Sequence, residues 1–186
     1  MQALLFLLDL AGKVVVGIFL LRFFMQLTRA NFRNPIAVAL VRFSNPVVLP
    51  LRRLIPGWGG MDIASLVAAF AVQAGVIFIL GLLFSPAGLS GFSLTGLLLR
   101  ALLTLLQSSI SLYVLLVFFS VLLSWFNRDP YNPLANLVNG LTEPLLAPAR
   151  RLIPPLGGLD LSPVIVLIAL QALSILVATE LLPRLL

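Results

Sequence analysis

Two arginine pairs and two aspartates stand at one spacing. Arg52 and Arg53 precede Asp62 by ten and nine residues, and Arg150 and Arg151 precede Asp160 by the same intervals. Pro56, Gly59 and Gly60 lie between the first set, and Pro154, Gly157 and Gly158 between the second. Eleven residues beyond each aspartate comes a glutamine, Gln73 or Gln171. Guanidinium groups stay charged and bind phosphates or carboxylates. A carboxylate pairs with them or caps a helix. Such a set binds or gates ions; it does not transfer protons. Two readings follow. In one, the arginines hold lipid phosphates, the glycines turn the chain and the aspartates cap helices. In the other, both Arg pairs and both aspartates meet on a symmetry axis and bind or gate something ionic.

The chain contains no His and no Cys. Disulfides, thiolate chemistry, Ser-His and Cys-His nucleophile pairs and His-ligated haem are thereby excluded. A zinc site loses its usual ligands. No cofactor or metal is expected. With acid–base and nucleophile sets missing, the expectation is a protein that is not an enzyme.

The spacing above belongs to a larger repetition, offset by 98 residues without a gap. Between Asn34 and Ala74, 16 of 41 positions match their counterparts. Asn34-Pro35 returns as Asn132-Pro133, and Arg52-Arg53-Leu54-Ile55-Pro56 as Arg150-Arg151-Leu152-Ile153-Pro154. Around these segments the chain is apolar. Hydrophobic residues make up 61% and charged residues 10%, against roughly 45–50% and about 25% in a soluble domain. Four runs, Ala3–Leu27, Asp62–Phe84, Arg100–Phe126 and Leu161–Leu182, are each long enough to cross a bilayer, which takes about 20 residues. The first holds Asp9, Lys13 and Arg22 and lacks a small-x-small cleavage pattern, so it reads as a retained helix rather than a signal peptide.

The expected fold is an all-α membrane protein with four transmembrane helices in two parallel repeats. Each repeat is a helix, a short interfacial or re-entrant helical segment, and a second helix. Residues 1–84 form the first repeat, 85–99 a linker loop rich in Ser, Pro and Gly, and 100–186 the second. Arg29, Arg33, Arg42, Arg52 and Arg53 follow the first run and Arg128, Arg150 and Arg151 the third, whereas the stretch between the second and third, Ser85–Leu99, carries no charge. Cationic loops stay on the cytoplasmic side, so both segments are expected there and both termini outside. Two crossings per repeat place the repeats the same way up, about a pseudo-two-fold along the membrane normal.

Within a repeat, Asn34-Pro35 signals a helix start, with Asn capping and Pro at the first position. Asn45-Pro46 repeats the signal. Two short helices are expected, Pro35–Ser44 and Pro46–Ile55, and likewise Pro133–Thr142 and Pro144–Ile153. At about 15 Å each, neither spans. Gln73 and Gln171 would lie about 16 Å deep, facing each other as interhelical glue or as a polar spot in a conduction path. Asp9 and Lys13, four apart with the acid first, suit an intrahelical pair within the crossing or a place near the outer headgroups. Gln107, Ser108, Ser109 and Ser111 suggest close helix packing. Trp58, Trp125, Phe126 and Tyr131 suit interfacial anchors.

The pattern Asn-Pro…Pro…Pro-x-Arg-Arg-Leu-Ile-Pro-x-x-Gly-Gly-x-Asp, present twice, resembles the repeat of the YggT family, also called YlmG. Repeat 2 departs from repeat 1 in having Glu143 for Asn45 and Pro155 for Gly57. The resemblance implies a small integral membrane protein. Family links run to osmotic-stress tolerance, potassium uptake, division and nucleoid organisation, and supply no catalytic residue. Two functions are therefore weighed. The first is a non-enzymatic envelope scaffold that meets anionic headgroups and a membrane-protein partner or a further copy of itself. The second is a small ion channel or potassium-transport accessory whose path runs by Gln73 and Gln171. Direct nucleic-acid binding is not expected, because the arginines sit where the bilayer holds them.

Overall fold

The structure, a computed structural model, describes residues 2–84, 93–126, 131–152 and 160–181. Among these there are six helices: α1 (Gln2–Leu27), α2 (Pro35–Leu54), α3 (Ile63–Phe84), α4 (Leu94–Phe126), α5 (Pro133–Leu152) and α6 (Ser162–Leu176). A π-helical turn, Val177–Leu181, continues α6. Four apolar stretches are long enough to cross a membrane: Ala3–Leu27, Ile63–Leu83, Leu94–Phe126 and Ser162–Leu181. These coincide with the four runs read from the sequence. The chain has the build of a multi-pass membrane protein.

Two expectations are corrected. First, each pair of short helices is one continuous helix of 20 residues, about 30 Å long. Asn34 caps α2, its side chain accepting from the Ile36 N–H at 2.9 Å. The second signal, Asn45-Pro46, does not interrupt it. Pro46 and Pro50 each remove one N–H from the ladder, but both lie on the exposed side of α2. The carbonyls that the two prolines leave without their helical donor, Arg42 O and Pro46 O, belong to exposed residues. On the buried side Arg22 donates to Val41 O at 3.2 Å and ties α2 to α1 just ahead of Pro46. Both α2 and α5 are amphipathic and are not among the four apolar spans.

Second, α4 begins at Leu94, so the last residues of the expected linker loop are helical. Ser93 starts the helix: its Oγ accepts from the Gly96 N–H at 3.4 Å and its carbonyl from the Leu97 N–H at 2.9 Å. A Ser cap followed by a Leu-rich turn outweighs the loop signal of the preceding residues. The part of the expected linker at 85–92 lies outside the described residues.

The helices form two three-helix groups. In the first, α1 packs on α3 and both contact α2; in the second, α4 packs on α6 and both contact α5. Between the groups, α3 packs on α4, α1 on α4, and α2 on α5. The main core lies in the first group. Val16, Phe19, Leu20 and Met25 of α1 meet Ala64, Ala68 and Ala69 of α3, with Leu137, Val138 and Leu141 of α5 closing one side. A smaller cluster, Val117, Leu146, Ala149 and Val166, serves the second group.

The α1–α3 contact is close because it uses glycine. A Cβ at Gly12 would lie 2.7 Å from Val76 Cγ2, whereas one at Gly17 would meet nothing within 4 Å. A helical Val has one strongly preferred rotamer and cannot swing aside. Gly12→Ala should therefore destabilise by about 1–3 kcal/mol, and Val76→Ala in the same chain should relieve it. Gly17→Ala should be neutral or mildly stabilising. Thermal unfolding of the detergent-solubilised protein reads all three.

Candidate functional site

The turn after α2 sets the position of Asp62. Gly59 and Gly60 have φ of 61° and 82°, and the Met61 N–H donates to Trp58 O at 3.0 Å. Two successive positive φ values define a type I′ turn, which disfavours side chains at both positions. Pro56 precedes it, exposed. The glycines thus make the turn that the sequence suggested, and it delivers Asp62 to the start of α3.

Asp62 is 1% exposed. Its Oδ1 accepts from Ser65 N at 3.3 Å and from Arg52 Nε at 3.1 Å. Its Oδ2 accepts from the Ser65 hydroxyl and from Arg52 Nη2, both at 2.6 Å, and from Arg22 Nε at 3.3 Å. The carboxylate is thus both the cap of α3 and the counter-ion of two guanidiniums. Arg52 comes from the last turn of α2 and also donates to Gln26 Oε1 at 3.0 Å. Arg22 comes from α1 and is 3% exposed. Its Nη1 reaches Val41 O, Ser44 Oγ (2.6 Å) and Asn45 Oδ1 (2.9 Å) on α2. One buried network therefore joins α1, α2 and α3.

The sequence reading missed Arg22 as a member of this network. Its signal was present: a cation within an apolar helix needs an acceptor set, and Asp62 at the mouth of the next crossing was available. Asn45, read as a helix start, is one of those acceptors.

The second group carries a looser version. Arg150 Nε donates to Asp160 Oδ2 at 2.9 Å, and its Nη1 to both Glu143 oxygens at 2.9–3.0 Å. The Asp160 side chain is 39% exposed and that of Glu143 54%. Asp160 also accepts from the Ser162 N–H at 2.9 Å. The position 98 residues after Arg22 is Ser120, and that after Asn45 is Glu143. Ser120 bonds only its own helix, at Val117 O. The arginine reaching in from the long helix is gone, and the second carboxylate serves Arg150 instead. The first cluster thus holds two cations and one anion, the second one cation and two anions.

Each described cluster is closed within its own half, so Arg52, Asp62, Arg150 and Asp160 do not converge on an axis. Arg53 and Arg151 face outward, exposed. Pro154, Gly157 and Gly158 lie outside the described residues. Gln73 is buried and Gln171 exposed, and α3 and α6 share no packed seam comparable to those above. The expectation that the two glutamines face each other is therefore corrected. The reason lies in the packing between the groups: α3 is covered by α4, while among the described residues α6 has no comparable seam with α1. Between the halves, the Asn34 amide donates to Pro133 O at 2.6 Å, joining the starts of α2 and α5.

The fold and the site define a multi-pass helical membrane protein with an arginine–carboxylate cluster at a helix mouth in each group, the first buried and the second exposed. The family model described as CCB3/YggT matches residues 1–83 and again 99–181. The chain belongs to this family. It is 42% identical over 183 residues to a protein of Pseudomonas aeruginosa described as uncharacterized, covering 96% of this chain and 90% of that one. It is 33% identical over 184 residues to the protein named YggT in Escherichia coli K12, with the same two coverages. A protein named ycf19 in Guillardia theta is 35% identical over 80 residues, which are 40% of this chain but 88% of that one. No solved structure matches.

Breaking a buried pair costs about 3–5 kcal/mol, whereas exposed pairs contribute about 0–1 kcal/mol. Asp62→Asn should therefore destabilise by about 3–5 kcal/mol and Asp160→Asn by about 1 kcal/mol or less, read by thermal unfolding in detergent. Burial alone would raise the Asp62 pKa, but the bonds from Arg52 and Ser65 outweigh it and hold the carboxyl below its ordinary range. Its folded value is thus below its unfolded value. The stability it contributes is full above the ordinary carboxylate pKa near ~3.9 and is lost as pH falls through the folded value. Melting temperature should drop from about pH 5 downward, and Asp62→Asn should lack that component.

Proposed function

We propose that the chain is a non-enzymatic scaffold or accessory protein of the bacterial cytoplasmic membrane, built from two copies of one three-helix unit. The twofold family match, the relative that aligns over little more than one unit, and the equal lengths of α2 and α5 98 residues apart support the duplication. In this reading α2 and α5 lie at the cytoplasmic interface and both termini are outside.

The observation that carries the reading is the division of charge on α2. The inward charge is consumed by the Arg22–Asp62–Arg52 network. Arg42 and Arg53 remain exposed beside Phe43, Val47 and Leu54. An amphipathic helix with arginines flanking exposed apolar groups suits the headgroup boundary of an anionic bilayer. The acid–base groups of the described site are engaged in structural pairs, which leaves binding rather than turnover as its chemistry. The conduction alternative is less favoured, since Gln73 and Gln171 do not share a path. On the family's links, the scaffold would serve division, nucleoid placement or stress response.

Two measurements test this. Arg53→Glu with Arg151→Glu should reduce the anionic lipid that co-purifies with the protein while leaving its melting temperature nearly unchanged. Vesicles containing the folded protein should pass potassium no faster than empty ones under an osmotic step. Flux that disappears on Gln73→Leu would establish a conduction path and overturn the scaffold reading.

A further inference from the structure

The packing between the halves is open at one end. Helix α3 packs on α4, the first helix of the second unit. Under the duplication proposed above, on which this inference rests, the counterpart of that seam is α6 on α1. Nothing comparable to it occurs within the chain. The uncovered face of α6 carries a group that lipid solvates poorly. Gln171 is exposed nine residues into α6, about 14 Å from its start, whereas its equivalent Gln73 is buried. On α1, the exposed Val14 is the equivalent of Leu112, which packs from α4 against the main core. Amide groups at such depth ordinarily face a protein neighbour.

The cytoplasmic ends of the same two helices are complementary in charge. Beside the start of α6 lies the acid-rich cluster of Glu143, Asp160 and Arg150. Just beyond the end of α1 come Arg29 and Arg33, both exposed. Antiparallel apposition of the two helices brings these ends together. It also levels the apolar positions: Val14 lies 13 residues before the end of α1 and Ile175 13 residues after the start of α6, each about 20 Å along its helix. Both are exposed.

We infer that the protein associates head to tail with a second copy of itself, α6 of one copy packing against α1 of the next and Asp160 meeting Arg29. Such a contact is heterologous. It repeats the α3–α4 seam between chains and closes into a ring or continues as a row in the membrane plane. A partner of another sequence would not inherit that match of seam, depth and charge.

The absence of cysteine makes the test clean. Two differently tagged forms, one with Val14→Cys and one with Ile175→Cys, are co-expressed and oxidised in native membranes. The expected result is a disulfide joining the two tags, with none in either form alone. It should be lost when the Ile175→Cys copy also carries Asp160→Arg, and regained when the Val14→Cys copy then carries Arg29→Asp. Links of Ile175→Cys to itself would show a symmetric dimer and overturn the inference. No link between forms that are both membrane-inserted would overturn it as well. A membrane-impermeant thiol reagent separates these outcomes from failure of the membrane reading. Both cysteines should resist it, while Trp58→Cys at the turn before α3 should react from the cytoplasmic side. Free reaction at Val14→Cys and Ile175→Cys would instead sink the spanning arrangement itself.

Discussion

One carboxylate with almost no access to water governs the first half of the molecule. Asp62 receives two guanidiniums, one from α1 and one from α2, while capping the helix that it begins. Isolated, any of these three charges would be costly at the edge of the hydrocarbon. Together they oblige α1, α2 and α3 to meet at one place. The Gly59-Gly60 turn, the unbroken path of α2 through two prolines and the close approach of α1 to α3 at Gly12 are all consistent with that single junction. The net stabilisation of a buried pair is often small, but the cost of leaving one member unpaired is large. The network therefore specifies an arrangement more than it adds to stability.

The second half shows what happens when one member is removed. Ser120 stands at the position equivalent to Arg22, and Asp160, the equivalent of Asp62, is accessible. Glu143 in place of Asn45 then supplies a partner for Arg150. The two differences fit together: Asn45 accepts from Arg22 in the first half, and where that arginine is a serine the equivalent position carries an anion instead. The two clusters carry opposite charge excess, and the second half has the smaller core and the more exposed terminal helix. The first half is the more closed of the two and the second the more open.

Much of this was legible in the residues. The four spans follow from length and apolar content, and the Gly-Gly turn and the Asp cap from their positions before an apolar run. Pairing of Asp9 with Lys13 followed from their i,i+4 order. The break expected at Asn45-Pro46 was not observed: both prolines lie on the exposed side of α2, while its buried side is held by Arg22, 24 residues away in sequence, through Val41 O, Ser44 and Asn45. The facing glutamines failed for a related reason. Repetition fixes equivalence within a unit but not the operation that relates two units, and here that operation leaves Gln171 outside. Arg22 itself was visible only as a charge in an apolar run, since its counterpart in the second half is a serine and repetition could not flag it.

The most direct test is a double-mutant cycle between Arg22 and Asp62, using Arg22→Met, Asp62→Leu and both together, read by thermal and chemical unfolding in one detergent. If one buried junction organises the first half, each single change should be severe and the double change clearly milder than their sum, with a coupling of about 2 kcal/mol or more. Additive effects, with coupling near zero, would mean that the helices are positioned by apolar packing alone and that the charges merely occupy the space left to them.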